Sequence, residues 1–141
     1  MIIAIKDFIQ ERINDLDTDF RFDGFGFETD KIGSLNVNHT YKVIIGSMSS
    51  SRQDQTIESV IPVSVIIYRI GQNDYFNDFA NAYCDAIAIQ SEIARQDKLD
   101  QSLFIKEFLP TGIEPEALNN DDNIMKFTIN FNVRLIYYSK D

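Results

Sequence analysis

Apolar and polar residues alternate almost without error through IMKFTINFNVRLIYY, from Ile124 to Tyr138. Met125, Phe127, Ile129, Phe131, Val133, Leu135 and Tyr137 fall on one side of the strand that this period of two predicts, and Lys126, Thr128, Asn130, Asn132 and Arg134 on the other. One face meets a core and the other meets something wet. A strand of 15 residues extends to about 50 Å, whereas a compact chain of this size is roughly 37 Å across. The strand is therefore expected to elongate the domain or reach into a partner, unless twist, a bulge or an early end shortens it.

Elsewhere the period changes. Ile2, Ile5, Phe8, Ile9, Ile13 and Leu16 recur at helical spacing, so Ile2 to Asp15 reads as an amphipathic helix. Asp17 to Ser34, rich in Asp, Gly and Phe, reads as loop with at most one short strand. TYKVIIG (Thr40 to Gly46) and IESVIPVSVIIYR (Ile57 to Arg69) read as a hairpin with a long polar tip between them. Asn73 or Asp74 can cap a second helix, running to about Gln96, whose expected buried stripe is Phe76, Phe79, Ala80, Tyr83, Ile87 and Ala94. SLFIKEFL (Ser102 to Leu109) reads as a strand ended by Pro110, and Glu114 to Asn123 as a polar connection into the final strand.

Strands and helices without a repeated strand-helix-strand rhythm predict an α+β fold. Residues 1–141 are expected to form a single domain, a mainly antiparallel β-sheet with two helices packed on one face and a long C-terminal strand. In Val60 to Tyr68 both alternating sets are largely apolar, so neither face should be fully wet. Two helices cover only one side. Ser64, Ile66 and Tyr68, on the other, are candidates for an interface with a neighbouring subunit.

Charge narrows the partners. Lys and Arg number 13 against 22 Asp and Glu, a net charge of −9 that supplies no clustered positive surface for tight nucleic-acid binding. A lone cysteine, Cys84, forms no internal disulfide and points to a reducing compartment. Lys6 and Asp7 break the first apolar run short of a signal-peptide core, and no run approaches the length that spans a bilayer, so no membrane is expected.

The short motifs carry no chemistry. Gly24-Phe-Gly-Phe27 resembles the core of an RNA-stacking octapeptide, but Asp23, Glu28 and Asp30 stand where basic, aliphatic and aromatic residues belong; Phe20, Phe22, Phe25 and Phe27 read instead as loop anchors. Asp15-Leu-Asp17-Thr-Asp19 spaces its carboxylates like a calcium loop, yet Phe20 occupies the obligatory glycine position; Asn119 to Asn123 is turn composition. His39, the only histidine, and Cys84 make no case for zinc or a nucleophile pair, and no glycine-rich phosphate cradle occurs. No catalytic residue, metal or cofactor is expected. Within the polar tip Ser47 to Thr56, the segment Ser49, Ser50, Ser51, Arg52 and Gln53 is a candidate partner-binding loop, mobile until it orders against that partner.

The order of helix, long-tipped hairpin, second helix and strands ending in a long alternating one rests on Thr40 to Gly46, Ile57 to Arg69, Asn73 to Gln96 and IMKFTINFNVRLIYY. It resembles the tail terminator, or tail completion, proteins of tailed bacteriophages over nearly the whole chain. The resemblance implies a structural virion protein at the tail-neck junction, made in the host cytoplasm. Copies would form a homo-oligomer, a hexameric ring that caps the tail tube protein, ends its polymerisation and meets the head completion or stopper protein, with the tail sheath protein as a further neighbour in a contractile tail. Genomic DNA would pass through without tight binding, along a lumen lined by Lys126, Thr128, Asn130, Asn132 and Arg134. The Phe20 to Phe27 segment has no counterpart in that layout. A phage head-tail connector and a non-viral α+β protein-binding module are the alternatives.

Overall fold

A computed structural model describes residues 2–16, 18–26, 38–71, 75–99, 104–119 and 124–138. Helix α1 (Ile2–Asp15) is followed by strands β1 (Arg21–Gly26), β2 (Thr40–Ile45), β3 (Ser49–Gln53) and β4 (Thr56–Ile70), helix α2 (Tyr75–Ile93), and strands β5 (Ile105–Asn119) and β6 (Ile124–Tyr138). The strands form one mixed sheet in the order β1-β2-β4-β6-β5, with β3 paired to β4 beside β2. Only β1 and β2 run parallel. The α+β expectation with a long final strand therefore holds, with β1 as the parallel addition.

Both helices lie on the face to which Ile61, Val63, Val65 and Ile67 of β4 and Met125 to Leu135 of β6 point. On α1 the buried residues Ile5, Phe8, Ile9 and Ile13 follow the expected stripe, and Phe8 stacks on Phe108 at 4.8 Å between ring centres. On α2 the stripe is rotated from expectation. Phe76 is 84% exposed, Ala80 and Ile87 also face outward, and the helix buries Ala82, Ala86, Ile89 and Ile93 instead, with Phe79 and Tyr83 against Phe127. The inward alanines have no bulk to hold the helix off the sheet. The cap assigned to Asn73 or Asp74 lies outside the described residues.

β4 and β6 pair without a register shift from Thr56↔Tyr138 to Ile70↔Ile124. The final strand thus keeps its full length, about 50 Å at the usual rise. On its other side β4 pairs first with β3 and then with β2, and between them Gly46 to Met48 stand opposite Ile61 and Pro62, one residue too many. Pro62 sits at that step, where the Gly46 N–H donates to its carbonyl at 2.8 Å and its own missing N–H coincides with the interrupted ladder. A Cβ on Gly46 would lie 3.2 Å from that carbonyl oxygen.

Two polar segments are strands rather than loops. Ser49 to Gln53 pairs residue by residue with Thr56 to Val60, so the long tip reduces to a two-residue turn with Asp54 in the left-handed region (φ 56°). β5 runs through Pro110 and Pro115 to Asn119 instead of ending at Leu109. An edge strand tolerates proline whose missing N–H points away from its partner, and β5 is the last strand of the sheet. Of the Phe-rich segment, Phe20 is buried and Phe25 packs against the core, whereas Phe22 is 38% exposed; Phe27 lies outside the described residues, as do 120–123 and Asp17.

Candidate functional site

Lys126, Thr128, Asn130, Asn132 and Arg134 all project from the sheet face opposite the helices, half-buried in a line along β6. Their neighbours across β4 and β5 neutralise them. Arg134 donates through Nε to Glu107 at 3.1 Å and lies 3.4 Å from Glu58; Lys126 lies 3.6 Å from Glu116; the Ser64 hydroxyl donates to Asn130 Oδ1 at 2.7 Å. Glu114 stands opposite Thr128. Along β4, β5 and β6 this face thus sets the carboxylates of Glu58, Glu107, Glu114 and Glu116 against two cations. It is polar, largely paired and slightly acidic, and β4, β5 and β6 set no cluster of unpaired positive charge on it.

Ser64, Ile66 and Tyr68 do not lie on a surface separate from the polar row of β6. They pair with Asn130, Thr128 and Lys126 and occupy the same face. Tyr68 is only 4% exposed, and Thr40, Lys42 and Ile44 beside it on β2 are buried too, so this end of the face is covered within the chain itself. Tyr68 is therefore corrected from an interface residue to a packed one, while Ser64 and Ile66 keep partial exposure. Register, invisible to a one-strand pattern, decides this.

The segment Ser49 to Gln53 lies at the far end of β4, with Ser49, Ser50, Ser51 and Arg52 exposed. The partner-binding loop expected there is a strand, fixed by pairing and by side chains: the Ser50 and Ser59 hydroxyls meet at 2.7 Å, and Ser59, fully buried, lies 3.3 Å from the Tyr137 hydroxyl. One polar chain thus crosses β3, β4 and β6.

No protein-family model matches the chain, and no curated protein does. Among solved structures, a chain described as "Virion of native gene transfer agent (GTA) particle" matches with a TM-score of 0.53 and 12% identity, covering 80% of this chain and 78% of that one. The likeness is one of fold.

A separate cleft of about 350 Å³ opens between the Thr18 to Phe20 segment, His39, the end of β4 and α2. Arg69 and Asp85 form an ion pair of 2.8 Å across it, and Cys84 and Asn81 line its wall. Burial pushes the Asp85 carboxyl up from its usual range, against the pull of the Arg69 and His39 charges. The fold thus brings His39 and Cys84, far apart in sequence, to one cleft. Among the described residues no group of three potential ligands could hold a metal ion, and no helix is long and apolar enough to cross a membrane.

Proposed function

We propose that this chain is a structural virion protein that acts by shape rather than catalysis, one subunit of the tail terminator ring of a tailed phage or phage-like particle. The observation that carries the reading is the fold likeness to a gene transfer agent virion chain over most of both chains. The sheet geometry suits it. An unbroken strand pair of 15 residues lines up a polar, internally neutralised face that, turned inward in a hexameric ring, gives DNA a track of Asn, Thr and paired charges. Such a ring would cap the tail tube protein, stop its growth and present its other side to the head completion protein, with the sheath outside it in a contractile tail. Residence is then at the tail-neck junction.

Electron microscopy of the purified protein mixed with tail tubes tests this. Rings at tube ends and an arrest of tube growth are expected. Binding to DNA-filled heads with tubes left bare would assign the chain to a head-tail connector; binding to neither would remove it from the virion neck.

A further inference from the structure

The cleft between the Thr18 to Phe20 segment and α2 opens on the helix side of the sheet, away from the polar row of β6. The turn at Asn38 and His39 holds its walls together. The Asn38 side-chain carbonyl accepts from the Ile70 N–H at 3.0 Å, the His39 carbonyl accepts from the Arg21 N–H at 2.8 Å, and the His39 ring meets Phe20 edge-on at 5.6 Å between centres. His39 holds a left-handed backbone (φ 57°), which costs a non-glycine residue free energy and persists only where its surroundings fix it. The end of β4 and the segment before β1 are thus tied to one point, and α2 closes the third side with Asn81 and Asp85, four residues apart on one helix face.

The polar groups lining this cleft are short of donors. Arg69 reaches one oxygen of Asp85 through a single guanidinium nitrogen at 2.8 Å, and among the described residues nothing donates to the other oxygen, Oδ1. The Thr18 hydroxyl oxygen is buried without a hydrogen-bond partner, a state that costs free energy until a ligand or water fills it. The Asn81 amide and the Asp19 carboxylate line the same space, and no hydrogen bond or ion pair among the described residues engages either side chain. Positive charge is short as well. Two carboxylates, Asp19 and Asp85, face one guanidinium, Arg69, while Arg21 lines the adjoining cleft. Burial holds the Asp85 carboxyl above its usual range in spite of Arg69 and His39, so its anion is under-compensated.

We infer that this cleft binds a primary alkylammonium group, the head of a lysine side chain or of a free aliphatic amine, among Asp85 Oδ1, the Thr18 hydroxyl, the Asn81 amide oxygen and the Asp19 carboxylate. The existing ion pair selects the cation. Because Arg69 already holds one Asp85 oxygen, that carboxylate cannot receive the two-pronged fork of a guanidinium, whereas an ammonium needs one oxygen and turns its other donors to acceptors on the remaining walls. A metal ion fits less well, since no three potential ligands stand close enough together among the described residues. An anion would meet both carboxylates. The volume of about 350 Å³ leaves room for the head and an aliphatic stem.

The test is NMR of the whole protein titrated at low salt with Nα-acetyl-lysine amide and, separately, with n-butylamine. Saturable shifts at the Thr18, His39, Asn81 and Asp85 amides are expected with both; tighter binding of the blocked lysine identifies a protein side chain as the source, and tighter binding of butylamine a free amine. Nα-acetyl-arginine amide, and tetramethylammonium, which has no donors, should bind at least about tenfold more weakly. Asp85→Asn should weaken lysine binding about tenfold and Thr18→Val roughly threefold. Thr18→Val also removes a buried hydroxyl without a partner and should melt no lower than the parent, so it decides alone if Asp85→Asn fails to fold. Glu114→Gln, which takes an exposed carboxylate from β5, should leave binding unchanged. No saturable shift in the cleft, equal binding of acetyl-arginine or tetramethylammonium, full binding by Thr18→Val, or a loss in Glu114→Gln as large as in Asp85→Asn would each overturn the proposal. No tail tube enters these measurements, so this inference and the ring reading fail separately.

Discussion

Phe131 and its neighbours Asn130 and Asn132 show how one strand serves two environments. Phe131 is 1% exposed with its ring edge-on to Phe108 at 6.1 Å between centres. Phe131→Ala should cost about 3–5 kcal/mol and lower the thermal midpoint sharply, or unfold the chain. Replacing both asparagines with aspartate removes no packing, and a carboxylate at position 130 still accepts from Ser64; a calorimetric midpoint within a few degrees of the parent is expected, and one as low as that of Phe131→Ala would show those side chains to be buried. At Asp85 the prediction concerns pH. Because burial raises its folded-state pKa above the ordinary 3.8, the folded chain holds the proton more tightly than the unfolded one. The stability of the parent relative to Asp85→Asn should therefore rise as pH falls through the raised value and level off below about 3.8. Denaturant melts of both proteins across that range measure it, and a difference that falls instead would mean that attraction to Arg69 outweighs desolvation.

At the scale of elements, the step between β2 and β3 is where the sheet has least freedom. Gly46→Ala would press a methyl against the Pro62 carbonyl at 3.2 Å, with Pro62 Cβ at 3.3 Å, and should cost about 1 kcal/mol as an overpacking change. A midpoint unchanged or raised would show that the step gives way. Helix α1 and β6 were legible because each carries one clean apolar period, although α1 buries Arg12 with its stripe. The stripe of α2 was not: its apolar residues surround the helix, and which of them face inward depends on how closely the sheet is approached, hence on Ala82 and Ala86 rather than on Phe76 and Ile87. The serines of β3 and the prolines of β5 read locally as loop and stop. They became strands because pairing with β4 and β6 supplies what local preference lacks. The polar face of β6 was legible residue by residue, but not its neutralisation, since Glu58, Glu107 and Glu116 come from two other strands.

At the scale of the whole molecule, the sign of charge on the polar face separates a conduit from a binding surface. With four carboxylates beside Lys126 and Arg134, this part of the face offers phosphate no surplus of positive charge. Replacing Asn130 and Asn132 with lysine leaves the core side of β6 untouched, so the thermal midpoint should move little. A hexameric ring would nonetheless gain on the order of twelve positive charges in one lumen, facing a duplex with a negative charge about every 1.7 Å along its axis. Each retained phosphate contact releases counterions, so a strand in transit is held more firmly, and more so at low salt. Particles carrying the lysine variant should complete their tails normally, yet eject DNA more slowly, with the defect shrinking as ionic strength is raised. Ejection kinetics followed by dye access to released DNA, at two salt concentrations, decide it. Normal ejection at low salt from particles shown to contain the variant would place this face away from the DNA path, and the ring would then have to be rebuilt with another surface inward.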